Sequence, residues 1–364
     1  MPQSAYIHIP FCKSKCYYCS FVSFTGCDIQ CKKKYVETLI KEIKHFYKNE
    51  TLKTLYFGGG TPSLLEPSLI KKIIYCFNIT TGTEVTLEIN PETVDSVYLK
   101  EIRNSGVNRI SIGVQSFNNQ ILKSIGRIHT AEKAKNIVKT AQDVGFDNIS
   151  VDFIYGLPKQ TNNSFVNDLE QAVQLDVQHI SLYGLKIEEG CKFFENYPSN
   201  IADDDAQADM YLDAIDTLTE KGFKHYEISN FAKSGFESRH NLNYWNCEEY
   251  YGFGVAAHGY VDGRRYSNFS TIGEYSTCCK EKDSEFCLTD QERQEEMIFL
   301  GLRRGIGINT QEINEKFNLD FDSKYRTILS KYIASGHLIR TEEGYKFSKE
   351  GFLLSNSILV DFIS

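Results

Sequence analysis

Three cysteines near the start of the chain, Cys12, Cys16 and Cys19, lie in the run YIHIPFCKSKCYYCSF with the spacing CxxxCxxC. Three thiolates this close can hold three irons of a 4Fe–4S cube and leave the fourth iron without a protein ligand. An open iron can bind a small molecule and pass it an electron, so the spacing points to chemistry rather than scaffolding. Structural zinc is the competing reading. It normally needs four closed ligands and often uses CxxC pairs. No partner pair with zinc-like spacing follows nearby, so a distant side chain would have to complete such a site.

The elements that must position this loop form a repeating pattern. Strand-like runs AYIHI, TLYFGG, EVTLEIN, NRISIGVQ, NISVDFIYG and HISLYGL alternate with amphipathic stretches such as KKYVETLIKEIKHFY, PSLIKKIIYCF, TVDSVYLKEIRNSG and AEKAKNIVKTAQDVG. Several helical stretches end in glycine (Gly106, Gly145), as helix C-termini often do. The pattern predicts an α/β fold with a parallel sheet covered by helices. Six units suit a partial (β/α)6, TIM-like barrel over residues 1–230, with a doubly wound sheet as the alternative.

In both architectures ligands gather at the C-terminal ends of the strands. The residues expected there are Gly58-Gly59-Gly60-Thr61-Pro62, Glu88 in EINPE, Gln115 in GVQSF, Arg127 in GRIHT and Asp152 in VDFIYGLP. The glycine run lets backbone amides approach a ligand, or it only makes a tight turn. Glu88 is placed to accept hydrogen bonds from an ammonium or from ribose hydroxyls. Taken singly, the carboxylates and Gln115 are also explained as solvated strand ends, and Arg127 as a surface ion-pair partner. Tyr18 either stacks on an adenine or covers the cluster.

Residues 231–289 read as a connecting region, rich in aromatics, glycine and asparagine between 234 and 275, made of loops and short strands. Residues 290–364 read as a smaller helical domain in which three helices and a hairpin resemble a winged helix. That stretch carries twelve acidic and ten basic residues, so the charge basis for gripping a duplex is missing and a packing module is expected.

Over 364 residues, 41% hydrophobic and 24% charged residues are ordinary for a globular protein of this size. No apolar run approaches the roughly 20 residues needed to cross a bilayer, and MPQSAYIHIPF does not read as a signal peptide. Eleven cysteines without a small-domain disulfide pattern imply a reducing, cytoplasmic setting. A net charge of −8 argues against a nucleic-acid partner. The acidic run Asp203-Asp204-Asp205 reads as a helix N-terminus. Cys27 and Cys31 share a helical spacing without defining a metal site. Cys76, Cys191, Cys247 and Cys287 read as packing residues or free thiols.

Together the cysteine loop, GGGTP, EINPE, GVQSF and VDFIYGLP resemble the radical S-adenosylmethionine superfamily. More narrowly they are similar to the branch holding oxygen-independent coproporphyrinogen III oxidases and the shorter HemW-type heme chaperones, over nearly the whole chain. The resemblance implies cluster ligands at Cys12, Cys16 and Cys19. It implies S-adenosylmethionine contacts at Tyr6, Tyr18, Gly59, Gly60, Thr61, Glu88, Gln115, Arg127 and Asp152. It also implies one-electron reduction of a sulfonium bound at the open iron. Two departures favour the chaperone branch. The oxidases carry a further cysteine where Phe21 stands, and a longer N-terminal extension, whereas Tyr6 lies five residues from the start.

The run His240-Asn241-Leu242-Asn243-Tyr244-Trp245 matches the HNxxYW motif of HemW-like proteins. The resemblance implies heme binding by His240, Asn241, Tyr244 and Trp245, with the histidine as an axial ligand candidate and the aromatics flanking the macrocycle. A packed aromatic loop with a hydrogen-bonded histidine is the bland alternative. His258, in GVAAHGY, is a second candidate ligand, but its small-residue surroundings better suit a buried structural histidine. The expected function is a heme chaperone delivering heme to recipient hemoproteins. Oxygen-independent coproporphyrinogen III oxidase is the rival, and a radical enzyme acting on transfer RNA fits poorly. Oligomeric state is left open.

Overall fold

The computed structural model describes residues 1–363. Six parallel strands, β1 (Ser4–Ile9), β2 (Thr51–Gly59), β3 (Asn78–Ile89), β4 (Arg109–Gln115), β5 (Ile149–Tyr155) and β6 (His179–Gly184), stand side by side in chain order. A doubly wound sheet reverses its strand order at a switch point. This sheet never does, so the partial-barrel expectation holds. The connecting helices are α1 (Ile29–Phe46), α2 (Pro67–Ile74), α3 (Ser96–Asn104), α4 (Asn119–Ser124), α5 (Ala131–Asp143) and α6 (Asn162–Gln174).

Period-two alternation decides what each strand face does. Ala5, Ile7, Ile9, Leu87, Ile110, Ile112, Val151 and Phe153 are buried in the apolar core, which the helices cover. The opposite face is polar. In register it forms one belt of Tyr6, Tyr56, Thr86 and Arg109, and another of Glu88, Ser111, Ser150 and His179. A TIM barrel usually fills its interior with branched apolar side chains; a polar interior suits a ligand chamber. Helix starts are pinned by side-chain caps, with Asp28 accepting from Cys31 N, Asp95 from Tyr98 N and Thr130 from Lys133 N. Each such cap contributes about 1 kcal/mol.

After β6 come α7 (Lys192–Glu195), α8 (Asp204–Glu220), β7 (Lys224–Glu227), β8 (Asn230–Ala232), α9 (Arg239–Trp245) and β9 (Tyr251–Phe253). Asp203 caps α8 and Asp204 and Asp205 lie in its first turn, as the acidic run implies. β8 pairs antiparallel with β6, and β9 pairs parallel with β1, so both edges of the six-stranded core are covered. The stretch expected to hold only loops and short strands therefore contains a helix, α9, whose sequence RHNLNYW has no apolar stripe to announce it. β10 (His258–Val261), β11 (Arg264–Ser267), α10 (Ile272–Cys278) and β12 (Ser284–Cys287) follow. His258 opens β10 on its exposed side, so its reading as a buried histidine was incorrect; the small neighbours serve other contacts, since a Cβ at Gly259 would strike the Tyr266 ring at 2.1 Å.

The C-terminal part comprises α11 (Asp290–Leu302), β13 (Ile308–Asn309), α12 (Thr310–Phe317), α13 (Phe321–Lys324), α14 (Arg326–Ala334), β14 (Leu338–Arg340) and β15 (Gly344–Phe347), with two short helices after them. β15 lies between β13 and β14 in a small antiparallel sheet, the winged-helix-like arrangement expected. Backbone bonds from Ile228 N to Arg303 O (3.0 Å) and from Gly305 N to Tyr226 O (2.8 Å) fasten this part to the β7–β8 turn. Among the described residues no helix is long and apolar enough to cross a membrane.

One buried carboxylate ties α1 to the segment after β9. Glu42, fully buried, accepts from Gly254 N (2.9 Å), Tyr275 Oη (2.6 Å), Asn268 Nδ2 (2.7 Å) and Lys282 Nζ (3.0 Å). Removing one partner of a buried ion pair strands the other charge and costs about 3–5 kcal/mol. Glu42→Ala is therefore expected to lower the urea midpoint steeply. Asp262→Ala, which breaks the exposed Lys48–Asp262 pair, should change stability by only about 0–1 kcal/mol.

Candidate functional site

The loop after β1 carries the three cysteines at the C-terminal mouth of the barrel, and each is partly exposed. It is fixed at several points. Cys12 N donates to Phe24 O (3.0 Å), Tyr17 N to Ile125 O (3.0 Å), and Phe193 N to Tyr17 O (2.8 Å). The Tyr17 ring lies over Gly126, where an added Cβ would come within 2.8 Å of it. Lys192 Nζ sits 4.0 Å from the centre of the same ring.

Two of the three thiols are joined by a chain of polar contacts. Cys12 Sγ meets Thr61 Oγ1 at 3.6 Å. Asn90 Nδ2 donates to Thr61 Oγ1 (3.0 Å), and Asn90 Oδ1 accepts from Arg127 Nη2 (2.8 Å). Arg127 Nη1 then donates to Cys16 Sγ at 3.6 Å, while Nη2 also donates to Gly113 O (2.6 Å). Arg127 is thus no surface ion-pair partner; its guanidinium lies against a thiol. Tyr18 contacts Cys16 as well, and burial pushes its phenol well up from the ordinary range. Burial likewise pushes the Cys19 thiol up to about 11.

The glycines serve close packing. A Cβ at Gly60 would lie 2.7 Å from Phe11 O, and one at Gly59, whose φ is +108°, would strike the His8 ring at 2.5 Å. The run lets β2 press against the end of β1 and the cysteine loop. Gly113 leaves the room in which Asn90, Gln115 and Arg127 converge, because a Cβ there would meet Asn90 Oδ1 at 2.9 Å and Gln115 Nε2 at 3.0 Å. Gln115 itself has a φ of +66°, next to a register shift between β4 and β5. Asn90 and Gly113 were not singled out from the sequence. Asn90 lies two residues after Glu88, so period-two reading of EINPE reaches it.

Deeper in the barrel, Tyr56 Oη donates to Glu88 Oε1 (2.7 Å), and burial raises the Glu88 carboxyl to about 7. Asp152 accepts from Ser111 (2.9 Å) and, at longer range, Ser150 (3.4 Å). Burial raises its pKa too, against the pull of these serine hydroxyls. Tyr6 Oη meets His8 Nδ1 at 3.1 Å and its ring stacks on Tyr56. Tyr6, Glu88 and Asp152 thus belong to the chamber wall. Thr61, Arg127 and Tyr18 belong to the cysteine rim, with Gln115 beside Arg127.

The HNxxYW segment lies at the other end. α9 closes the N-terminal mouth of the barrel. Glu84 accepts from Arg239 N (3.2 Å) and His240 N (3.1 Å), and Ser4 Oγ donates to Asn243 Oδ1 (2.9 Å). His240 is buried. One ring nitrogen meets Thr54 Oγ1 (2.8 Å), the other Tyr244 Oη (2.8 Å), and the ring stacks on Tyr56 at 4.9 Å. Burial lowers its pKa to about 3. Five strand residues separate Thr54 from Gly59, about 17 Å. An axial ligand needs a free imidazole nitrogen, and in this conformation His240 has none; the hydrogen-bonded alternative describes its present state. Asn241 caps onto Ser238 through its backbone, and Trp245 faces the C-terminal part.

The cysteine rim fits an iron–sulfur group. Its three thiols are free, and a hydroxyl and a guanidinium stand at two of the sulfurs, complementing an anionic cluster. Among the described residues no three His, Cys, Asp or Glu side chains converge on a single ion, which a cube with irons at separate corners does not require. A parallel barrel with this loop at its C-terminal mouth defines a radical S-adenosylmethionine fold. Residues 6–172 match the Radical SAM superfamily and residues 288–354 the HemN C-terminal domain.

The solved coproporphyrinogen III oxidase HemN of Escherichia coli, a radical SAM enzyme, superposes with a TM-score of 0.88. It shares 23% identity, over 100% of this chain and 90% of that one, a likeness of fold. The sequence is 37% identical to the heme chaperone HemW of Lactococcus lactis, covering 100% of this chain and 97% of that protein. It is 34% identical to that of Bacillus subtilis (99% and 99%) and 33% to that of E. coli (100% and 98%). The chain belongs to the HemW family.

A carboxyl raised from its ordinary 4.5 to about 7 carries a pH signature. The folded state holds the Glu88 proton more tightly than the unfolded state. Its stabilising effect is complete below about pH 4.5 and is lost as pH rises through about 7. Between pH 5 and pH 8 the wild type should therefore lose on the order of 1–3 kcal/mol relative to Glu88→Gln. Paired urea titrations at the two pH values check this, and other titrating groups cancel in the difference.

Proposed function

We propose that the chain is a heme chaperone, binding heme and passing it to recipient hemoproteins, with a 4Fe–4S cluster and an S-adenosylmethionine site at the barrel mouth. The observation that carries this is the rim itself, with three free cysteines and two sulfurs supported through Thr61, Asn90 and Arg127, in a chain that matches the HemW family along all of its residues. Cys12, Cys16 and Cys19 would hold the cluster. A cluster with one open iron supplies an electron to a sulfonium ligand. Arg127 and Thr61 stabilise the thiolates, and Tyr18 shields the Cys16 side from water. Tyr6, Gly59, Gly60, Gln115 and Asp152 would line the S-adenosylmethionine site, and Glu88, poised near neutrality, would accept from its ammonium or ribose. All eleven cysteines are free, in keeping with a cytoplasmic setting.

The chaperone reading is preferred to the oxidase on a local feature. Phe21, largely exposed, stands where the oxidases carry a further cysteine, and Ser20 beside it donates to Glu188 (2.9 Å). Heme would be handled at α9, by His240, Asn241, Tyr244 and Trp245, with His240 reaching iron only when the helix lifts from Thr54.

Anaerobic reconstitution is expected to give about four irons and four sulfides per chain, falling sharply in Cys12→Ser, Cys16→Ser or Cys19→Ser. Hemin should bind without coproporphyrinogen turnover. Tetrahedral zinc in place of the cluster, or efficient turnover with S-adenosylmethionine and reductant, sinks the proposal. Tyr244→Phe frees a His240 nitrogen and should strengthen hemin binding several-fold, while His240→Ala weakens it. Unchanged affinity in both would remove His240 from the heme site.

A further inference from the structure

Arg127 reaches the Cys16 sulfur from an irregular segment, residues 125–130, that links α4 to α5. Something must hold that segment against the barrel. Its backbone is fixed at two points, by Arg127 N donating to Leu122 O (2.9 Å) and by Ala131 N donating to Asn119 Oδ1 (2.9 Å). Between them Ile128 turns outward, half exposed, and Thr130 caps α5. Of these three side chains only His129 turns inward, and its ring has no solvent exposure.

The partners of His129 repeat those of Arg127 one step further along. Arg127 Nη2 donates to Asn90 Oδ1 and to Gly113 O. His129 Nδ1 lies 3.4 Å from Glu92 Oε2, and His129 Nε2 donates to Val114 O (3.2 Å). Arg127 and His129 are two residues apart, as are Asn90 and Glu92, while Gly113 and Val114 are neighbours in β4. One short segment thus grips the same two elements twice, the end of β4 and the turn after β3.

A carbonyl only accepts, so the Val114 contact places a proton on Nε2. The Glu92 contact then needs a second proton between Nδ1 and Oε2, because two bare lone pairs would otherwise face each other. Neither atom meets solvent, and neither has a hydrogen-bond partner elsewhere. Removing one of them leaves the other buried and unmatched, which is costly. The Glu92 carboxyl lies below its ordinary value; burial pushes it up, but the His129 imidazole and the Arg127 guanidinium outweigh burial.

We propose that His129 is a positioning residue: held between Glu92 and Val114, it keeps residues 127–129 against the barrel and so keeps the Arg127 guanidinium on the Cys16 sulfur. The inference rests on the cluster reading above and names a group that sets the electron affinity of that cluster. Hydrogen bonds to the sulfurs are among the factors that tune an iron–sulfur potential. A cationic donor at Cys16 favours the reduced cluster, which carries one more negative charge. Loosening the segment withdraws that donor, so the potential falls.

The full-length protein is reconstituted anaerobically, its iron is counted, and the cluster is titrated with a low-potential reductant while its EPR signal is followed. His129→Asn should still load about four irons. Its equilibrium constant for taking up one electron should fall about tenfold, a potential about 59 mV more negative. Arg127→Gln should fall at least as far, and the double variant no further than Arg127→Gln alone, since His129 acts through the arginine. A general packing role would lower the double variant further. Glu92→Asp keeps the charge but shortens the reach, and its constant should fall about threefold; it decides the matter where His129→Asn fails to load. An unchanged potential in His129→Asn or Glu92→Asp, or an additive double variant, overturns the positioning role and leaves the cluster reading standing. A wild type that assembles no cluster overturns that reading, and this inference with it.

Discussion

Asn90 uses both ends of one amide to join two cysteines. Its Nδ2 holds Thr61, whose hydroxyl faces Cys12, and its Oδ1 holds Arg127, whose guanidinium faces Cys16. The thiols come from one loop, but their supports come from three different βα connections. The geometry of the rim therefore depends on β2, β3 and β4 keeping register. Gly113 is part of this arrangement through an absence, since any side chain there would occupy the space of the amide and guanidinium. A surface loop alone cannot hold thiols so steadily; the barrel must brace it.

Below the rim the same strands present a second set of polar groups, and burial changes their character. Glu88 is poised near neutrality with Tyr56 donating to it, while Asp152 is held among serines. At the far mouth Glu84 accepts the backbone N–H groups at the start of α9, a favourable place for a carboxylate. Tyr56 touches both zones, donating to Glu88 and stacking on His240. One tyrosine thus spans the chamber from its wall to its floor.

Much of this was legible in the residues. All six strands were visible from alternation and turn chemistry, and the cysteine spacing marked its loop. The open-barrel choice needed the resemblance, because periodicity says nothing of strand order. α9 escaped because its stability comes from contacts with Ser4, Thr54 and Glu84, far away in sequence, and no apolar stripe marks it. For the same reason His240 looked available while it is packed. His258 erred in the opposite direction, since glycine and alanine neighbours say little about which side of a strand meets solvent. The glycine run was recognised as special, but its reason, contact with His8 and Phe11, is a property of two strands rather than of one motif.

The pairing of β9 with β1 has a consequence for how the molecule is made. β1 leaves the ribosome first, with Ala5, Tyr6 and Ile7 destined to meet Tyr251, Gly252 and Phe253. At about 5–20 residues per second, translation takes roughly 10–50 s to bring those partners out. Throughout that interval the leading strand has a bare, hydrogen-bond-hungry border, the kind of surface that recruits stray chains. The nascent polypeptide is thus most vulnerable to aggregation while its three-cysteine loop is already outside the exit tunnel.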